Sequence, residues 1–147
     1  MKKLGVVMLA LASAVALAQD GAGAPAAGVG SKVHVLSRAE LERLLAQPDK
    51  VLVIDVRRPD EVSSVGGLPV YFSIQSKDLE SSLAWIPKGR SIITLSNHAG
   101  RASKAAELLT SKGFNVAGAA GAQTYEQQGG RLTHIPVPAA ATAEAGR

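Results

Sequence analysis

Two strand-like runs constrain this chain more than anything else in it: the continuous apolar Val51-Leu52-Val53-Ile54, closed by Asp55, and the mainly apolar Ser91-Ile92-Ile93-Thr94-Leu95, followed by Ser96. A strand with one wet face alternates apolar and polar residues. A continuous run needs cover on both faces, which is the condition of a parallel strand inside an α/β layer structure. Helix signals separate the runs, so the chain is read as an α/β fold, a central parallel sheet of about five strands with helices on both faces. In such sheets ligands lie beyond the carboxyl ends of the strands, the edge at which Asp55 and Ser96 fall.

The remaining elements are read from caps and periodicity. Val33-His34-Val35 is a short strand. Ser37 and Glu40 form an S-x-x-E capping box for a helix from Arg38 to Ala46, with Leu41, Leu44 and Leu45 on one face. Arg58-Pro59-Asp60-Glu61 opens a helical turn, because proline suits a first helical position. Val70 to Ile74 is a strand, and Asp78 to Trp85 a short helix with Pro87 past its end. A helix from Ala102 to Lys112 is closed by Gly113; Phe114-Asn115-Val116 is the last strand, and Ala122 to Gln128 the last helix, ended by Gly129-Gly130.

The ends differ in composition. Lys2 and Lys3, an apolar run from Leu4 to Leu17 and the small residues Ala16-Leu17-Ala18 predict an export signal over residues 1–18, cleaved after Ala18. The run is shorter than the roughly 20 residues that a spanning helix needs, so no integral membrane span is expected. Residues 19–31 are rich in Gly and Ala and predict a flexible linker, residues 32–134 the folded domain, and residues 135–147 a disordered tail. The mature protein is expected in the periplasm or secreted. Removing Lys2 and Lys3 lowers Lys+Arg from 16 to 14 against 12 Asp+Glu, a formal charge of +2. With one Trp, two Tyr and two Phe and no basic cluster, nucleic-acid binding is not expected. There is no cysteine, so stability comes from packing without disulfides. His34, His98 and His134 have no metal-ligand spacing, and neither a metal nor a cofactor is called for. Nothing in the pattern sets an oligomeric state.

Between the second apolar run and the next helix stands Ser96-Asn97-His98-Ala99-Gly100-Arg101. A loop of this shape, opening a helix with its backbone N–H groups turned inward, makes a nest for an anion. It resembles the active-site loop of the rhodanese-like domain family of sulfurtransferases. The resemblance extends to Asp55-Val56-Arg57-Arg58-Pro59-Asp60-Glu61, similar to that family's D-V-R-x-P-x-E, to Gly113-Phe114-Asn115-Val116, and to Gly121 through Gly129 with Tyr125 at a tryptophan position. Gly67-Leu68-Pro69 stands where the family usually has H-I-P. The resemblance implies the rhodanese-like fold and an anion-binding loop formed by Ser96, Asn97, His98, Ala99, Gly100 and Arg101, supported by Asp55. It also implies a catalytic cysteine, and the chain has Ser96 there. Persulfide chemistry needs an ionisable sulfur, which a serine hydroxyl does not supply.

Individual residues carry competing readings. Ser96 either acts as an oxygen nucleophile with His98 as its base, or binds an anion or caps a backbone group. Arg101 either presents its fork to an oxyanion or braces the loop in an ion pair. Asp55 accepts hydrogen bonds from loop backbone rather than acting as a catalytic carboxylate; Arg57 is expected at the rim, and Trp85 in packing. The leading expectation is an exported, catalytically inactive rhodanese-like domain, a pseudoenzyme that binds a small oxyanion or a protein partner through residues 96–101. The alternative is an enzyme with residual activity, either sulfurtransfer by family label or weak hydrolysis based on Ser96.

Overall fold

The computed structural model describes residues 33–134; the expected signal at 1–18, the linker at 19–31 and the tail at 135–147 lie outside the described residues. Within them the two apolar runs become neighbouring strands, β1 (Val51–Asp55) and β3 (Ser91–Ser96), paired in parallel with Asp55 opposite Leu95. A short β2 (Phe72–Ser73) flanks β1, and β4 (Val116–Gly121) flanks β3, giving a four-stranded parallel sheet in the order β2-β1-β3-β4.

Side chains of the two central strands alternate between two cores, as the strand period requires. Val51, Val53, Ile93 and Leu95 face one side, where Leu41 of α1 (Arg38–Leu45) and Ala122 of α4 (Ala122–Gln127) cover them. Leu52, Ile54 and Ile92 face the other, against Ala105 and Leu109 of α3 (Ala99–Ser111). The expected cover on both faces is therefore present. The capping box at Ser37 and Glu40 forms as read, and Pro59 opens α2 (Pro59–Val65).

The strand expected over Val70 to Ile74 is confined to Phe72–Ser73, and larger differences from the sequence expectations have physical reasons. Val33–Val35 makes a single parallel bridge, Val35 with Ala119, so it edges β4 without becoming a fifth strand. The last strand runs to Gly121, well past Val116, through the small residues Ala117-Gly118-Ala119-Ala120. Alanine and glycine are poor strand formers, but here size decides. Ala102 and Ala106 of α3 pack directly on Ala119, and a Cβ at Gly118 would stand 2.8 Å from the His34 carbonyl oxygen. The expected helix over Asp78–Trp85 is turns plus a 3-10 turn at Leu83–Trp85. Ser81 and Ser82 both donate to the Asp78 carbonyl, the local competition that disfavours helix interiors, and Trp85 is exposed instead of packed. Finally, α3 begins at Ala99 instead of Ala102, which draws half of the candidate loop into the first turn of a helix.

Candidate functional site

The carboxyl edge of β1 and β3 holds four fully buried polar side chains: Asp55, Arg57, Thr94 and Ser96. Burying such groups is costly unless each is paired, and among the described residues no buried side-chain nitrogen or oxygen lacks a partner. Their pairing determines what the site can do.

Ser96 is the last residue of β3, and its Oγ lies between two backbone groups of the segment that follows. It accepts a hydrogen bond from the Ala102 N–H at 3.0 Å and donates to the His98 carbonyl oxygen. Two residues earlier on the same face of β3, Thr94 Oγ1 donates to the Ala102 carbonyl at 2.8 Å. Two strand hydroxyls thus grip both sides of one residue of α3 and fix the start of that helix on the sheet. The Ser96 proton is committed to a carbonyl, and the His98 side chain lies exposed at the rim. The structure brings Ser96 to the backbone of His98, so the pair has no geometry for general-base activation, which requires hydrogen-bond reach between hydroxyl and imidazole.

Asp55 and Arg57 form the second part. The Arg57 guanidinium donates from Nε to Asp55 Oδ1 at 2.9 Å and from Nη2 to Oδ2 at 2.7 Å, a two-pronged pair. The Arg57 backbone N–H donates to Oδ1 as well. Every hydrogen bond to the Asp55 side chain comes from Arg57, chiefly from its guanidinium, and none from the backbone of residues 96–101. Arg57, expected at the rim, is fully buried, because the carboxylate next to it can be buried only with a counter-charge. Its remaining terminal nitrogen, Nη1, donates to Asn97 Oδ1 at 3.0 Å, carrying the pairing across to the loop.

From Asn97 the chain of contacts continues outward. Asn97 Nδ2 donates to Glu61 Oε1 at 2.9 Å, and Arg101 donates from Nη1 to Glu61 Oε2 at 2.9 Å and from Nη2 to Oε1. Glu61 Oε2 also accepts the backbone N–H of Arg58 at the start of α2. The Arg101 guanidinium, with help from the α2 start, holds the Glu61 carboxyl at about 2, well below the ordinary value of 4.5. The fork of Arg101 is filled by this carboxylate, with the arginine side chain 41% exposed and the glutamate 15%.

The loop backbone closes on the other side against β4. Gln123 donates its N–H to the Asn97 carbonyl at 3.0 Å, and a Cβ at Gly121 would stand 3.0 Å from the Ala99 nitrogen. A side chain there would crowd the backbone of Asn97 and Ala99. Gly100, in contrast, is exposed with open space around it, so Gly100 and His98 form the accessible rim. The six expected loop residues are contiguous at one edge of the sheet with Asp55 behind them. Arg57, read from the sequence as a rim residue, and Glu61, read only as part of the Asp55–Glu61 run, belong to the same network. Their signal was available: an arginine two residues beyond a buried carboxylate at a strand end, and a glutamate four residues beyond that arginine. Among the described residues no group of three His, Asp or Glu side chains is placed to hold a metal, and no helix is long and apolar enough to cross a membrane.

The sequence pattern of the rhodanese-like domain family matches residues 37–122. No curated protein matches the chain. Among solved structures, a rhodanese-related protein from Thermoplasma volcanium superposes with a TM-score of 0.61 at 20% identity, covering 71% of this chain and 100% of that one. A rhodanese-like domain protein from Staphylococcus aureus gives 0.58 at 20% identity over 69% and 98% of the two chains. A thiosulfate sulfurtransferase from Pseudomonas aeruginosa gives 0.58 at 23% identity, covering 69% of this chain but 20% of that larger one.

Proposed function

Since the chain belongs to the rhodanese-like domain family and has no cysteine, we propose that it is a catalytically silent member that acts by recognition through residues 96–101. The observation that carries this reading is the state of Ser96. The residue at the family's nucleophile position is fully buried, and its hydroxyl both accepts from and donates to backbone groups that set the start of α3. It holds a helix in place, and among the described residues its hydrogen-bond partners are backbone groups alone, none of them a base.

A protein partner suits this rim better than a free oxyanion. Glu61 occupies the arginine that would otherwise meet an oxyanion, whereas His98 and Gly100 present an open rim. The export signal read from residues 1–18 makes the periplasm or the exterior the place of action. Immobilised mature protein, compared with the Gly100→Arg and His98→Ala forms, tests this. Loop-dependent retention of a defined exported protein supports the reading. An identical set of retained proteins for all three forms, or partners that bind only through other surfaces, rejects it.

A further inference from the structure

The two lateral edges of the sheet differ. β4 is flanked by Val35, which bridges to Ala119, whereas β2 pairs with β1 alone and ends the sheet among the described residues. Ile54 stands opposite Phe72, and the Ile74 N–H donates to the Asp55 carbonyl at 3.0 Å, so the main chain of Ile74 points inward to β1. Main-chain groups alternate in direction along a strand. Phe72 therefore shares the inward direction of Ile74, and Tyr71 and Ser73 present their N–H and carbonyl groups outward. Natural edge strands are normally guarded by charged side chains, lysine above all, which stop a second chain from extending the ladder. No residue from Val62 to Ser76 is charged, and Pro69 precedes the strand without blocking Tyr71 or Ser73. The side chains left in solvent here are apolar: Val70 is 79% exposed and Phe72 46%. Neither end of the described chain leads to them. Thr133 makes an antiparallel bridge to Gly67 and His134 lies beside Gly66, so the chain is heading away from Phe72 at that point. Val33 packs on Ala102, Ala106 and Ala119, at the opposite side of the sheet.

We propose that β2 pairs with β2 of a second copy of this chain, antiparallel about a two-fold axis at Phe72, joining two four-stranded sheets into one. The edge is complementary to itself. About that axis Phe72 faces Phe72 of the other copy in a non-hydrogen-bonded pair, where side chains approach closely, and Tyr71 of each copy exchanges main-chain bonds with Ser73 of the other. Val70 comes opposite Ile74, whose side chain already packs toward the α3 core, so both exposed apolar groups are covered. No like charges meet across the uncharged stretch, and one patch used twice closes the assembly as a dimer. The pairing runs along the lateral edge of the sheet, whereas residues 96–101 lie at its carboxyl end, so it stands independently of the recognition reading.

Sedimentation equilibrium of the mature protein over a wide range of concentration tests the pairing, alongside the Phe72→Lys, Val70→Lys and Trp85→Lys forms. Native protein is expected to dimerise as concentration rises. Phe72→Lys sets two like charges against each other at the axis and should weaken association by about tenfold or more without changing the melting temperature. Val70→Lys, at the more exposed position, serves should the Phe72 form not fold. Trp85→Lys removes an apolar side chain that is 81% exposed elsewhere on the surface and should leave association unchanged. Because the chain has no cysteine, the thiol of Phe72→Cys meets only its own counterpart. Cα atoms of a non-hydrogen-bonded pair lie about 4.5 Å apart, within disulfide reach, so mild oxidation should link this form into dimers and leave Ser81→Cys unlinked. A native protein that stays monomeric, whether its edge is open or taken by residues 135–147 or by another protein, overturns the inference. So does association that Trp85→Lys weakens as much as Phe72→Lys, or cross-linking equal in the two cysteine forms.

Discussion

Removing the Ser96 hydroxyl is the most informative single perturbation, because the nucleophile and brace readings predict opposite things of it. In the fully buried setting of Ser96, Ser96→Ala deletes one acceptor for the Ala102 N–H and one donor to the His98 carbonyl. A typical intramolecular hydrogen bond contributes about 1 kcal/mol, and a buried group left without its partner costs about 1–3 kcal/mol. The Thr94 bond to the Ala102 carbonyl persists and holds the other side of the same residue, so the helix start relaxes without detaching. The expected loss is about 2 kcal/mol, equivalent to a fall in melting temperature of about 8–16 °C for a domain of this size. Urea unfolding with an unchanged m-value measures it, and Ser81→Ala, whose hydroxyl bonds the Asp78 carbonyl on the exposed surface, is the control and should lose less than about 0.5 kcal/mol. A Ser96→Ala protein as stable as the native one would refute the assignment of this hydroxyl as a brace.

Further expectations concern the same edge of the sheet. Arg57→Ala leaves the Asp55 carboxylate buried without its counter-charge and should cost about 3–5 kcal/mol, read as loss of most cooperative unfolding in urea. Glu61 is depressed from 4.5 to about 2 in the folded state, so its contribution is present above about pH 4.5 and is lost as pH falls toward 2. Acid titration followed by melting temperature should therefore show a flatter fall across that window in Glu61→Gln than in native protein, and identical curves would contradict the pairing with Arg101. Gly100→Ala, in the first turn of α3 with open space where the new Cβ goes, should stabilise by about 0.5–1 kcal/mol by restricting the unfolded chain. A destabilised Gly100→Ala would mean that the helix does not begin where the structure places it.

How much of this was legible in the sequence follows from the kind of signal each part leaves. The central strands and their two-sided burial were visible because continuous apolar runs have few other uses, and the capping box at Ser37 and the proline at Pro59 are local chemistry that survives into the fold. The strand through Ala117 to Ala120 was not, because its residues are chosen for the small size that α3 needs, and size fitted to a distant neighbour leaves no periodic trace. At the expected helix from Asp78 the Ser81 and Ser82 hydroxyls share the Asp78 carbonyl with the Ser82 N–H, and only a 3-10 turn follows, a local competition that periodicity does not weigh. At the site, the composition alone removed the sulfur, and position alone marked Asp55 and Ser96. The inward direction of the Ser96 hydroxyl depends on how the chain turns from β3 into α3, the burial of Arg57 follows from that of Asp55, and the contacts of Asn97 and Arg101 with Arg57 and Glu61 join residues 36 to 40 positions apart. Only the assembled sheet edge brings those groups together.

Catalytic silence follows from the absence of any cysteine at the start of α3, and the transfer of sulfur from thiosulfate to cyanide by the purified native chain tests it directly. The expected result is no turnover above buffer and no gain of a sulfur atom in the intact mass after incubation with thiosulfate. Sustained turnover that disappears in Ser96→Ala, or a sulfur adduct on the native protein, would contradict it.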